Sequence, residues 1–323
     1  MSRGRSAEAP AGDVLVLAGP TASGKTPLSI LLAGHLDAEI LSADSRQMYR
    51  YMDVGTAKPT IEERGAIPHH FIDDRMPDEE FNAAEFGSQG RARIAGILAR
   101  GKTPLVVGGS GLYLRSLLDG LFDGPSANDE LRNRLYARLA SEGAGALLSE
   151  LRAVDPAAAG SMLPSNTKRI VRALEVYHET GVPISQLQDR PSVPAAFRSV
   201  CVGIAWDRAK LYDRINERVE RMLDGGLIDE AREILHKGYP RSLNALQTVG
   251  YREVFDFLDG ATTYARMTEL IKQNSRRYAK RQLTWFRRDP RITWFTVESD
   301  AEFPAIAGRI ARYFRSGKAS GTA

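Results

Sequence analysis

The chain has 323 residues, of which 43% are hydrophobic and 26% charged, with one cysteine and a formal net charge of +4. This composition is typical of a folded globular protein of one or two domains, and it excludes a disulfide scaffold and a multi-cysteine metal site. No apolar stretch reaches the roughly 20 residues that span a bilayer, and residues 1–12 lack the apolar core of a signal peptide. We therefore expect a cytoplasmic protein that makes no membrane contact.

Short apolar runs alternate with helical patterns along much of the chain. The apolar runs predict buried parallel strands, and their alternation with helices predicts an α/β fold. The predicted strands are 14–17, 40–41, 105–107, 200–204 and 292–297, and the main predicted helices are 28–36, 83–98, 207–237 and 264–286.

The stretch 126–188 differs because it is helix-like throughout and contains no strand candidate. Residues 191–194 begin and end with proline and are typical of a linker that returns to the sheet. These patterns predict an α/β core formed by residues 13–125 and 197–300, interrupted by a helical insertion domain at 126–196.

The strongest motif follows the first predicted strand and precedes the first predicted helix. It matches G-x-x-x-x-G-K-[ST], and this context is the one that identifies a P-loop. Backbone N–H groups and a helix N-terminus would surround a phosphate, with a lysine as mobile cation and a threonine hydroxyl as a Mg²⁺ ligand. The predicted diphosphate-binding residues are Gly19, Pro20, Thr21, Ala22, Ser23, Gly24, Lys25 and Thr26.

A second carboxylate that P-loop NTPases use for the metal is missing where it is usually found. The strand 105–107 is followed by Gly108-Gly109-Ser110-Gly111, which contains no acid. Asp44 follows the strand 40–41 instead, and the carboxyl ends of neighbouring parallel strands share one edge of the sheet. The sequence therefore predicts Asp44 beside the phosphate loop in a P-loop NTPase-like sheet flanked by helices.

Several further segments make the chain similar to the tRNA dimethylallyltransferase family. The resemblance extends from about Val14 to Phe295, in order and at compatible spacing, although Ser110 replaces the usual threonine. The zinc finger of many animal and fungal relatives is absent, because no suitable Cys/His set exists, and this indicates the bacterial form. The matching segments are 19–26, 44–47, 52–59, 108–113, 169–177, 214–218, 250–253 and 278–287.

The resemblance implies that dimethylallyl diphosphate is the donor, that the acceptor is N6 of a tRNA adenine next to the anticodon, and that the enzyme is a Mg²⁺-dependent monomer. It implies Asp44 as general base, with Thr26 and Arg218 acting on the diphosphate, although Arg214 lies one helical turn from Arg218. Together with the basic segment described next, the candidate tRNA-binding residues are Asp44, Ser45, Arg46, Gln47, Ser110, Arg132, Lys168, Arg169, Arg172, Gly250, Tyr251, Arg252, Arg276, Arg277, Lys280, Arg281 and Arg287.

The segment 272–288 is strongly basic and contains no Asp or Glu. Clustered cations follow nucleic-acid phosphates, and the interleaved Tyr278, Trp285 and Phe286 could stack on unpaired bases. The same pattern also fits a solvated helix face whose aromatic side chains pack inward. Because unrelieved repulsion would destabilise such a stretch, we expect its charges to bind RNA.

Three alternatives share parts of this pattern. A small-molecule P-loop kinase would use the phosphate loop and Asp44 but has no need of the basic segment. An adenylate isopentenyltransferase would keep the chemistry and prenylate free nucleotides, without a need for the helical insertion. An RNA-binding protein with a structural nucleotide is disfavoured by Asp44 beside an intact phosphate loop.

Overall fold

A computed structural model of the chain describes residues 12–121, 124, 128–190 and 192–317. The described residues form two compact units, one drawn from 1–118 and 195–323 and the other from 119–194. The predicted boundary at 125/126 lies outside the described residues. No helix in the described ranges is long and apolar enough to cross a membrane.

The larger unit is built on a parallel sheet in which six strands are described. The strands are β1 (Asp13–Ala18), β2 (Ala38–Ser42), β3 (His69–His70), β4 (Thr103–Gly108), β5 (Arg198–Ala205) and β6 (Ile292–Thr296). The order is β3-β2-β4-β1-β5-β6, so the strand before the phosphate loop lies in the interior between β4 and β5. The predicted α/β class is confirmed.

Helices pack on this sheet because their apolar faces must be buried. Leu28 and Leu32 pack with Leu15 and Leu17 in a core that also receives Phe303 from the last helix. Among the described residues, the helices outside the insertion are α1 (Lys25–Leu36), α2 (Ile61–Arg64), α3 (Ala83–Ala99), α4 (Gly111–Asp119), α9 (Arg208–Asp224), α10 (Leu227–His236), α11 (Tyr251–Leu258), α12 (Tyr264–Phe286) and α13 (Phe303–Arg315).

The predicted single helix at 207–237 is wrong, because it is two helices. The helix α9 ends at Asp224 and α10 begins at Leu227. Gly226 between them has φ = 92°, a left-handed conformation that glycine adopts without the steric cost of a side chain. The two helices therefore run in separate segments, and each contributes its own side chains near the phosphate loop: Arg218 from α9 contacts Thr21, and Glu230 from α10 contacts Asp53.

The described residues of the smaller unit form helices joined by turns and no strand, as the sequence predicts. Its core is formed by apolar side chains such as Leu147, Leu151, Ile170 and Leu174. The helices are α5 (Asp129–Val154), α6 (Pro156–Gly160), α7 (Thr167–Thr180) and α8 (Ile184–Gln188).

Candidate active site

The phosphate loop turns sharply between β1 and α1. Ala22 and Gly24 both adopt left-handed backbone conformations, with φ values of 62° and 83°. Gly24 has no room for a side chain, because a Cβ there would lie 2.1 Å from the ring of Phe303. The loop conformation is therefore fixed by a contact from α13 as well as by its own glycines.

Side chains from elsewhere in the fold engage the loop carbonyls. The Lys25 ammonium donates to the carbonyls of Gly19 and Pro20, at 2.9 and 2.7 Å. Arg214 Nε donates to the carbonyl of Ala22 at 2.9 Å, and Trp206 Nε1 donates to that of Ser23 at 3.0 Å. With these carbonyls occupied by donors, the loop presents less negative potential to an incoming anion.

Two partly buried cations lie beside this loop. Burial, and after it the Arg218 charge, lower the pKa of Lys25 to about 7, and the Asp44 carboxylate opposes both effects. Burial likewise lowers the pKa of Arg218, again opposed by Asp44. These two desolvated cations share one carboxylate, so they would strongly stabilise a bound polyanion.

The two arginines of α9 have different partners. Arg214 donates to Asp300 Oδ1 at 2.6 Å as well as to the loop, and its guanidinium lies 4.2 Å from the Trp206 ring centroid. Arg218 donates to the Thr21 hydroxyl at 2.9 Å and to the carbonyl of Thr56 at 3.3 Å. Arg214 is neutralised by a carboxylate, whereas no described carboxylate forms an ion pair with Arg218.

Asp44 follows β2 and lines the same cavity as Lys25 and Arg218. Its Oδ1 atom accepts the backbone N–H of Arg46 at 2.9 Å, which fixes the turn after the strand. No described residue donates a hydrogen bond to its Oδ2 atom. The sequence prediction that a carboxylate faces the phosphate loop agrees with this placement.

Gln47 is engaged within the protein. Its Oε1 accepts from the Ser42 hydroxyl at 3.0 Å, and its Nε2 donates to the carbonyls of Thr56 and Ala57 at 3.4 and 3.2 Å. The Gln47 amide is therefore not free to bind an adenine edge in this conformation. Ser45 and Arg46 also line the cavity, and the Ser110 hydroxyl accepts the N–H of Ser45 at 3.2 Å.

A carboxylate from α10 holds the loop 53–55 against the cavity. Glu230 accepts the consecutive N–H groups of Asp53, Val54 and Gly55 at 2.7, 2.7 and 2.8 Å. Tyr251 donates its hydroxyl to the same carboxylate at 2.5 Å. The prediction of Tyr251 as a tRNA contact is wrong for its side chain, which is fully buried. Its neighbour Gly250 is buried too, whereas Arg252 is exposed.

Helix α12 contributes Tyr278, Arg281 and Gln282 to the cavity wall. The Gln282 side chain accepts the N–H of Thr21 at 2.8 Å and donates to the carbonyl of Gly109 at 2.9 Å. Sequence reasoning missed Gln282, whose partners lie 261 and 173 residues away along the chain. Only its position on the cavity-facing side of a basic helix could have singled it out.

The basic residues of α12 fall into two groups. Arg276 donates to Asn216 Oδ1 at 2.6 Å and to Glu269 at 2.9 Å, and Lys272 pairs with Glu220. The expectation of unrelieved repulsion is wrong for these two. Phe286 is buried, whereas Trp285 is 44% exposed and packs over Gly111. The exposed cations, ion-paired with no described residue, are Arg277, Lys280, Arg281, Arg287 and Arg288.

In the helical unit, the predicted tRNA-binding residues also divide. Arg132 and Arg172 donate to the fully buried Glu175 carboxylate at 3.1 and 2.9 Å, so both neutralise an internal charge. Lys168 and Arg169 are exposed and pair with no described carboxylate.

The cavity has a volume of about 1180 Å³. It exceeds the roughly 300–1000 Å³ of ordinary small-molecule pockets. The phosphate loop, Asp44, Arg218 and α12 all contribute to its wall, so it can hold a diphosphate and a second, larger group together.

The donor set for a metal is small. Within the described ranges, no three His, Cys, Asp or Glu residues cluster as a metal site. Thr26 lines the cavity at the start of α1, where its hydroxyl could be one ligand. This arrangement fits Mg²⁺, which keeps several waters and is commonly held by substrate phosphates with few protein ligands.

Comparisons with known proteins identify the family of the chain. A family model described as IPP transferase matches residues 47–289. The chain is 49% identical over 302 residues to a tRNA dimethylallyltransferase 1 of Pelobacter propionicus, covering 93% of this chain and 97% of that one.

Two solved structures are also similar. One is the tRNA isopentenylpyrophosphate transferase of Bacillus halodurans, with a TM-score of 0.69, 40% identity and coverage of 94% of this chain and 97% of that one. The other is a eukaryotic dimethylallyltransferase described as acting on tRNA, with a TM-score of 0.79, 25% identity and coverage of 97% and 81%. The chain belongs to the IPP transferase family, and the relatives named above are prenyl-transferring enzymes whose names specify tRNA.

Proposed function

We propose that the protein transfers a dimethylallyl group from dimethylallyl diphosphate to N6 of the adenine 3′-adjacent to the anticodon in tRNA, with release of diphosphate. The observation that carries this proposal is a single cavity lined by a phosphate loop, the Asp44 carboxylate and a helix with exposed cations. The names of the related proteins support the same donor class and acceptor.

The leaving group would bind in the phosphate loop. Negative charge grows on the diphosphate as its bond to the allylic carbon breaks, and Lys25 and Arg218 lie where they can stabilise it. The Thr26 hydroxyl would help hold Mg²⁺, and that ion would neutralise further charge on the diphosphate. Arg214 would instead support the loop from outside, since Asp300 already neutralises it.

Asp44 would act as the general base. The N6 amine is a weak nucleophile because its lone pair is delocalised into the purine ring. As the N6–carbon bond forms and the carbon–oxygen bond to diphosphate breaks, N6 gives up a proton. Since Oδ1 already accepts the N–H of Arg46, we assign the proton to Oδ2.

The acceptor base must leave its stack to reach this cavity. Ser45 and Arg46 would contact the extruded adenine. Gln47 could do so only by releasing its contacts with Ser42 and with the carbonyls of Thr56 and Ala57. Exposed cations would bind the surrounding tRNA phosphates, namely Lys168, Arg169, Arg252, Arg277, Lys280, Arg281 and Arg287.

The remaining parts of the proposal concern organisation. Residues 126–196 would be an insertion domain within the core formed by 13–125 and 197–300. The protein would act as a monomer in the cytoplasm. In that reducing compartment its single, buried cysteine would stay reduced.

The test is a direct assay of transfer with labelled dimethylallyl diphosphate and unmodified tRNA, compared with AMP as acceptor and ATP as donor. We expect label in tRNA, dependent on magnesium and abolished by a chelator. Label in AMP instead of tRNA would identify an adenylate isopentenyltransferase. Phosphoryl transfer from ATP to a small molecule would identify a kinase.

A further inference from the structure

The Gln282 side chain bridges two loops at the carboxyl edge of the sheet. It is 6% exposed. Its Oε1 accepts the N–H of Thr21 from the loop after β1, and its Nε2 donates to the carbonyl of Gly109 from the loop after β4. Only one orientation of the amide satisfies both partners, because one of them is a donor and the other an acceptor.

Each end of this bridge continues to a group of the proposed reaction. Thr21 is held a second time through its hydroxyl, which accepts from Arg218 at 2.9 Å. On the other side, Ser110 follows Gly109, donates its N–H to the carbonyl of Ala43 at 3.2 Å and accepts the N–H of Ser45. Ala43 and Ser45 flank Asp44, so Gln282 stands between the anion loop and the base.

We propose that Gln282 is a positioning residue that holds the phosphate loop at a fixed distance from the Asp44 turn. This inference rests on the proposed function for the identity of the two substrates. The amide orients the peptide at Thr21, and through Gly109 and Ser110 it supports the backbone around Asp44. The prenyl donor bound in the phosphate loop and the prenyl acceptor beside Asp44 are thereby kept within reach of each other.

Near-isosteric replacements separate the two arms of the bridge. Methionine fills the same space but leaves the N–H of Thr21 and the carbonyl of Gly109 without their partner. Glutamate keeps an acceptor for Thr21 and loses the donor to Gly109. A Cβ on Gly109 would lie 2.2 Å from Gln282 Nε2, so the amide packs directly against this glycine.

The first measurement is calorimetric binding of inorganic diphosphate without tRNA. We expect Gln282→Met to raise the dissociation constant by about tenfold or more, and Gln282→Glu to raise it by a smaller factor. These values follow from losing two hydrogen bonds or one. Gln273→Met, the same change on the same helix at a position whose side chain has no described hydrogen bond, should bind like the wild type.

The second measurement separates positioning from folding. Circular dichroism first verifies that both Gln282 variants are folded. We then expect kcat at saturating dimethylallyl diphosphate to fall about tenfold in Gln282→Met, while the tRNA dissociation constant stays within twofold of wild type. Diphosphate binding and kcat within twofold of wild type in both Gln282 variants would overturn the proposal. A lower melting temperature with unchanged kcat would overturn it too.

The two proposals fail in different ways. If the wild type transfers nothing to tRNA, the proposed function fails while the calorimetric comparison still tests the hold of Gln282 on the phosphate loop. If the wild type is active and the Gln282 variants match it, only the positioning role fails.

Discussion

The phosphate loop and the outer face of α12 use positive charge in opposite ways. Around the loop, Lys25 and Arg218 are partly buried and hydrogen-bonded to defined backbone or hydroxyl oxygens. On α12, Arg277, Lys280 and Arg287 are exposed and ion-paired with no described residue. Cations withdrawn from water are costly to hold and select one geometry, whereas exposed cations attract phosphates over a range of positions and are screened by salt.

The largest expected effect comes from replacing Asp44, the carboxylate beside the phosphate loop. Asp44→Asn keeps the Oδ1 acceptor for Arg46 but cannot take a proton, so kcat should fall by roughly 10²–10⁴. Single-turnover transfer to tRNA is the measurement. The tRNA dissociation constant should stay close to that of the wild type, and turnover within a few-fold of wild type would remove Asp44 as the base.

The two arginines of α9 both contact the phosphate loop, but only Arg214 is paired with a carboxylate. Replacing each of them tests whether an unpaired positive charge is needed for turnover. Arg218→Gln should lower kcat by roughly 10²–10³, because a charge that faces the leaving group is lost. Arg214→Gln, the matched control one turn away, should lower kcat by less than about tenfold, because its charge is already neutralised by Asp300. Equal losses in kcat would contradict the different roles.

Lys25 should make donor binding depend on pH. Its pKa is lowered to about 7, and a bound diphosphate would favour the charged form. Affinity for dimethylallyl diphosphate without tRNA should therefore be greatest below pH 7 and fall by up to about tenfold per pH unit above it.

Calorimetry at pH 8 in two buffers of different ionisation enthalpy measures the same linkage. Binding should take up protons in the wild type. Lys25→Met should bind more weakly and lose the uptake. Identical proton uptake in the two proteins would assign the proton to another group.

The exposed cations should act through ionic strength. Replacing Arg277, Lys280, Arg281 and Arg287 by glutamine should flatten the dependence of log K for tRNA on log salt by roughly 0.7–0.9 per lost contact. Binding curves at several salt concentrations provide the slope. Among single variants, Arg277→Gln should change it and Arg276→Gln should not, since Arg276 is held by Asn216 and Glu269. Coincident slopes for the wild type and the fourfold variant would remove α12 as a tRNA surface.

The smallest effect concerns Tyr251. Tyr251→Phe removes one hydrogen bond to Glu230, which keeps its three backbone donors, so stability should fall by only about 1 kcal/mol. Chemical denaturation measures this change, and Tyr264→Phe on an exposed tyrosine is the control. A marked rise in the tRNA dissociation constant would restore Tyr251 as an RNA contact.

The sheet was predictable because its strands are apolar runs ended by turn residues. Five of the six described strands carry this signal, whereas β3 consists of His69 and His70 and has none. The predicted helix 207–237 failed because the helical period continues across Gly225 and Gly226, and only the backbone reveals the break. Local patterns thus identify elements better than they identify where one element ends.

The site was predictable only where one short segment carries the chemistry. The phosphate loop and Asp44 are of this kind. Arg276 looks like its neighbours in sequence but lies opposite Asn216, 60 residues earlier. Gln282 and Glu230 were missed for the same reason, since their partners are brought together by the fold alone.

The contact between Gly24 and Phe303 has a consequence for how the protein is made. The anion loop occupies residues near the beginning of the chain, yet Trp206, Arg214, Gln282 and Phe303, which hold it, come much later. A ribosome that has synthesised β1 and α1 has made the motif but not the binding site. Donor recognition should therefore arise late in biosynthesis, when α13 closes over the loop, and a nascent chain stalled before residue 303 should not retain diphosphate.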